Sequence, residues 1–174
     1  MEMVAMPGNT WEVKASCLIL GADEYLIIAD KNGTKDTLKG PIMYYPKWGE
    51  TWGCIKKSIS IPVNSYIIIR DNNSTEHPIT QKRGPLQYFP QSFEEVQINP
   101  SKAHLAGQHN DGREFHYDCF HVNDSEGIHV QCADGSVVLI DTPQFYMPKV
   151  GERILCTIKR QMLMNTDFCI MKAP

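Results

Sequence analysis

The stretch GPIMYYPKWGE at residues 40–50 returns as GPLQYFPQSFE at residues 84–94 and as TPQFYMPKVGE at residues 142–152. Each version sets two prolines five residues apart, with an aromatic between them and a glutamate after the second. The residues are Pro41, Tyr44, Pro46 and Glu50 in the first copy, and Pro85, Tyr88, Pro90 and Glu94 in the second. The third copy has Pro143, Tyr146, Pro148 and Glu152. Gly40 and Gly84 stand before the leading proline in two of the three. A catalytic loop is normally written once, so a phrase written three times reads as architecture, and internal repeats decide a fold before anything else does.

The agreement extends upstream. Residues 25–50 lie over residues 127–152 without a gap, matching Gly33 with Gly135, Lys47 with Lys149 and Gly49 with Gly151. The middle copy needs three extra residues in its DNNSTEHPITQKR segment. Phe168 follows Glu152 by the same 16 residues that separate Tyr66 from Glu50, so DFCIMKAP reads as the opening strand of another unit.

Each unit has one physical reading. Leu26-Ile27-Ile28 and Ile67-Ile68-Ile69 are β-branched runs too brief for a helix. They lead into Asn-Gly, Asn-Asn-Ser or Asp-Gly turns, which favour positive φ or tight reversal. Proline cannot donate to a strand ladder, so the paired prolines end one strand and set the entry to the next. The aromatic between them is expected to cover a small core beneath the turn. The repeated glutamates Glu50, Glu94 and Glu152 are expected to accept backbone N–H bonds after it. The predicted fold is all-β: three tandem small antiparallel units at residues 12–62, 63–126 and 127–166, with a further strand beginning at 167–174. Residues 101–126 have no counterpart and are predicted to form an inserted hairpin, turning at Asn110-Asp111-Gly112-Arg113 and running on as a strand over residues 114–122.

The formal charge of the 174 residues is −3, with 42% hydrophobic residues. Nucleic acid is therefore not an expected partner, because the basic patch that would attract phosphate is missing. No apolar run approaches the roughly 20 residues that span a bilayer. The first residues lack the basic-then-apolar order of an export signal, so the chain is expected in the cytoplasm, without a membrane partner. Its six cysteines are irregularly spaced. They are expected to be mostly free, several of them as small buried residues in strands.

Chemistry is concentrated in the insertion. His104, His109, His116, Cys119 and His121, followed by His129, form the one dense group of imidazole and thiol ligands. His116, Cys119 and His121 are the candidate ligands of zinc, which takes such donors tetrahedrally. On a strand, side chains alternate, so 119 and 121 share a face that 116 does not. A Cys-x-x-Cys pair is also missing, and the expectation is therefore no cofactor. Cys119 beside the two histidines is likewise the local candidate for a thiol nucleophile. A small metal-dependent or thiol enzyme built on residues 104–129 is the alternative function. An adaptor that binds peptide or nucleic acid on a sheet face is another.

Short β-units carrying a Gly-Pro-x-x-Tyr-x-Pro phrase and a trailing acidic residue resemble the repeats of the major vault protein family. The fit is best over residues 61–96, IPVNSYIIIRDNNSTEHPITQKRGPLQYFPQSFEEV. Residues 98–112, INPSKAHLAGQHNDG, are similar to the proline-led strand and Asp-Gly turn between such units. The resemblance implies stacked β-units used as the wall of a large shell. The chain has no long amphipathic heptad helix, the part by which vault chains associate, so shell formation is not carried over. The expected function is a non-enzymatic structural or scaffold protein. It would act by self-association or protein–protein contact through edge strands at residues 12–20 and 167–172, because an unfinished edge is a template for pairing.

Overall fold

The computed structural model describes residues 17–76, 78–106 and 112–161 throughout, together with the backbone of two strands near the start. Those two, β1 (Glu2–Ala5) and β2 (Trp11–Lys14), pair antiparallel, Glu2 opposite Lys14. The chain then divides into two compact units, residues 1–117 and 118–174.

The first unit contains two sets of strands. The earlier set is β3 (Leu18–Leu20), β4 (Glu24–Ala29), β5 (Lys35–Lys39), β6 (Ile42–Tyr44), β7 (Thr51–Trp52) and β8 (Lys56–Lys57). The later set is β9 (Ile59–Ile61), β10 (Ser65–Asp71), β11 (Ile79–Arg83), β12 (Leu86–Tyr88) and β13 (Glu94–Val96). Two 3₁₀ turns, Pro100–Leu105 and Arg113–Phe115, and the two-residue strand β14 (Tyr117–Asp118) follow. The second unit holds β15 (Phe120–Val122), β16 (Glu126–Gln131), β17 (Val137–Ile140), β18 (Gln144–Tyr146) and β19 (Arg153–Lys159).

One pairing scheme recurs in all three sets. A short strand pairs with the strand that carries the repeated tyrosine: β3 with β6, β9 with β12, β15 with β18. A long central strand is flanked antiparallel by its hairpin partner on one side and by the strand after the glutamate on the other. Thus β4 lies between β5 and β7, β10 between β11 and β13, and β16 between β17 and β19. The central strands are buried on both faces at their start (Tyr25 and Leu26, Tyr66 and Ile67). This explains why they read as continuous apolar runs rather than as alternation. The core sits between the two small sheets. In the second set Ile59 and Ile61 meet Ile67 and Ile69, with Tyr88, Val96 and Phe115 packed around them. In the third, Val122 meets Ile128 and Val130, flanked by Phe120, Ile140, Tyr146 and Ile154.

The nearly all-β class and the small antiparallel sheets agree with the sequence-based expectation. Other expectations are corrected. The short strand ahead of each long one hydrogen-bonds within the same set, so the sets begin at Leu18, Ile59 and Phe120 rather than at residues 12, 63 and 127. The single expected strand over residues 114–122 is instead a 3₁₀ turn at 113–115 and two short strands that break at Cys119. The proline-led strand expected near residue 100 is also a 3₁₀ turn. Pro100 fits its first turn, and the Asn99 side chain accepts from the Ser101 N–H at 3.1 Å. Part of the expected hairpin turn, and the strand expected at residues 167–172, lie outside the described residues. The described cysteines form no disulfide, and none is fully buried. Cys156, in β19, is exposed, as is Cys54, while Cys17, Cys119 and Cys132 are half-buried.

Candidate interaction surfaces

The three glutamates do one job three times. Glu50 Oε2 accepts the Tyr44 hydroxyl at 2.7 Å and the Lys47 N–H at 2.8 Å. Glu94 accepts the Tyr88 hydroxyl at 2.5 Å and the Gln91 N–H at 2.8 Å. Glu152 accepts the Tyr146 hydroxyl at 2.5 Å and the Lys149 N–H at 2.8 Å. Each glutamate also donates its own backbone N–H to the carbonyl three residues back, closing a β-turn. The arrangement is reciprocal, as in a helix capping box, but it ties a strand to the turn that follows it. Gly49 and Gly151 take positive φ at the third turn position, whereas the middle copy closes with Phe93.

These bonds leave an electrostatic mark. The Tyr44 phenol is held above its ordinary value by the Glu50 carboxylate and then by burial. Burial first and the glutamate bond second push Tyr88 and Tyr146 up further. Glu50 moves the other way, below the usual carboxylate range, because Tyr44 and the Lys47 N–H donate to its charged form.

The leading glycines answer to close packing. A Cβ on Gly40 would overlap the Gly21 carbonyl oxygen, and one on Gly84 would overlap that of Pro62. Both residues are followed by cis peptide bonds, Gly40–Pro41 and Gly84–Pro85. Pro46 and Pro148 are half-buried and Pro90 is buried, while Pro41, Pro85 and Pro143 are exposed.

Within the first unit a second use of the phrase emerges, one that no sequence motif announces. Phe89, next to the latched Tyr88, packs its ring edge-to-face with Tyr25 of the preceding set, 6.3 Å between centroids. Lys39 Nζ lies 5.7 Å from the same ring. The Thr37 hydroxyl donates to the Pro90 carbonyl, and the Ser92 hydroxyl to that of Lys35, each at 3.5 Å. The turn of one repeat is thus seated on the sheet of the repeat before it. The only hint in the sequence is an aromatic residue at both contact positions.

The insertion does not gather a ligand set. His116 is buried, and its carbonyl accepts from Asn99 Nδ2 at 2.7 Å. Cys119 is half-buried, and His121 is exposed with its ring stacked on Phe145 at 4.6 Å. Among the described residues no three metal-ligating side chains come together. Instead, His129 meets Cys156, Nδ1 to Sγ 3.8 Å, across β16 and β19. Nothing in their spacing of 27 residues could announce this pair.

Grooves on the face opposite the core occupy equivalent places in the first two sets, beside Ile27, Ala29 and Lys35 and beside Ile68, Arg70 and Ile79. In the second set Tyr117 stacks on Tyr66, 5.4 Å between centroids, and lines that groove. No helix among the described residues is long and apolar enough to cross a membrane. Comparison with protein-family models and with curated proteins finds no match.

Proposed function

We propose that the chain is a non-enzymatic structural or scaffold protein of the cytoplasm, built of vault-like β-repeats and working through self-association or contact with another protein. The observation that carries this reading is where the repeated phrase places its functional groups. Its tyrosine and glutamate are consumed in a turn latch, and the aromatic beside the tyrosine joins one repeat to the next. In repeat arrays stability comes from such neighbour contacts, and the outermost repeats are left with faces of the same kind. The segments expected from the sequence to be edge strands, residues 12–20 and 167–172, are further places where a partner would add. Sedimentation velocity over a wide concentration range, with electron microscopy of the same samples, tests the proposal. Association or ordered particles are expected. A strict monomer from which no partner is recovered in cells would sink it.

A further inference from the structure

The joint between the first two repeats has a direction. The donor is the turn at Phe89–Ser92; the acceptor is the face carrying Tyr25, Lys35, Thr37 and Lys39. Residues 35, 37 and 39 alternate onto one face of β5, opposite Ala29, Ile27 and Tyr25 of β4. Burial follows the contact. Phe89 and Ser92 are half-buried and Pro90 is buried, whereas at the same positions of the first repeat Tyr45 is 63% exposed and Trp48 is 93% exposed. Among the described residues, the first repeat therefore presents the donor turn without a sheet seated beneath it.

The third repeat presents the counterpart of the acceptor face, with a buried Gly127 in place of Tyr25 and with its β17 side chains exposed. Val137 and Leu139 stand where Lys35 and Thr37 stand, by the same gapless offset that superimposes the two copies of the phrase. Both lie on the face of β17 opposite the core, with His129 and Gln131 of β16 across from them. They are 54% and 51% exposed. The substitutions are correlated at the two surfaces. The free turn carries Tyr45 and Trp48 where the seated turn has Phe89 and Ser92. The free acceptor carries valine and leucine where the occupied one has lysine and threonine. The charges are also complementary: Lys47 replaces Gln91 on the turn and Asp141 replaces Lys39 on the face. A tethered joint needs little apolar area. One between separate molecules must offset lost translational and rotational freedom, and so needs more.

We propose that copies of this chain associate head to tail through this joint, the Tyr45–Trp48 turn of one copy seating on the Val137–Leu139 face of the next. The proposal rests on the self-association reading and specifies its surface. Such a contact is heterologous, so it propagates into filaments or closes into rings.

The test uses the full chain with Trp48→Glu and Leu139→Glu. Two milder variants, Trp48→Ser and Val137→Lys/Leu139→Thr, install residues that the same positions hold in another repeat, and so control for folding. In sedimentation velocity the wild type is expected to associate with concentration, and each single variant to associate at least about tenfold more weakly. An equimolar mixture of Trp48→Glu and Leu139→Glu should form dimers and nothing longer, since each pair keeps one intact joint. Tryptophan emission should shift to the blue as association of the wild type proceeds, and this shift should be lost in Trp48→Ser. A wild type that stays monomeric overturns this joint and the self-association reading together. A wild type that associates while the folded variants associate equally well overturns the joint alone. Variants that are monomeric both singly and mixed overturn the head-to-tail direction. If Leu139→Glu lowers thermal stability with association unchanged, that face packs within its own chain and the proposal falls.

Discussion

Tyr88 and Glu94 show how one hydrogen-bonded pair can hold a turn. The carboxylate satisfies a side-chain hydroxyl and a backbone N–H at once, and a bond to a charged acceptor contributes more than a neutral one. Tyr88→Phe should lower unfolding free energy by about 2 kcal/mol in urea titration, with the slope unchanged. The latch also sets the pH response. The folded-state phenols of Tyr44, Tyr88 and Tyr146 titrate above the ordinary 10.0. Folding therefore keeps protons that the unfolded chain releases, and stability should hold below pH 10 and fall as pH rises beyond it. The Tyr88→Phe/Tyr146→Phe variant should show a shallower alkaline decline when its melting temperature is followed against pH. Glu50 acts in the opposite window. Its folded pKa lies below the ordinary 4.5, so its contribution is present above that value and lost as pH falls through the lower one. Gly84 is held by sterics: Gly84→Ala would drive a methyl into the Pro62 carbonyl. It should cost about 2 kcal/mol or more by thermal denaturation.

The strand sets depend on contacts that no single strand contains. Each central strand buries residues on both faces, one toward the small sheet that holds the latched tyrosine and the other away from it. In the first unit that second face is where the Phe89 turn is seated. Phe89→Ala removes an edge-to-face aromatic pair and the apolar area around it, and should cost about 2 kcal/mol. Amide exchange should rise in β4 and β5 as well as around residue 89, because the loss is shared by donor and acceptor. A purely local role for Phe89 would leave β4 and β5 protected.

Among the described residues, the second and third strand sets each carry their own core cluster. The cluster around Ile67 and the cluster around Ile128 share no residue, and the chain divides between them. Val130→Ala should therefore raise amide exchange across residues 118–161 while leaving residues 17–106 as protected as before. A uniform rise would mean that the two units open together. Repeat architecture is normally additive in this way, each unit leaning on its nearest neighbours.

Repetition, turn chemistry and β-branched runs were legible in the residues because they are local: hairpin turns and proline-ended strands need only a few adjacent positions. The three glutamates were also readable as turn acceptors, since the bond spans three residues. Where each strand set begins was not readable, because Ile59–Ile61 finds its partner at Leu86–Tyr88, across an entire hairpin. The strand expected across Cys119 was overridden by a left-handed Gly112 and a 3₁₀ turn at Arg113–Phe115. Non-local packing alone settled that His129 meets Cys156 and that Phe89 sits on Tyr25 while its counterpart Tyr45 stays exposed. Contacts of that kind depend on which surfaces the completed sheets bring together, and the shared prolines, tyrosine and glutamate of the phrase are the same in every copy however differently its neighbours cover it.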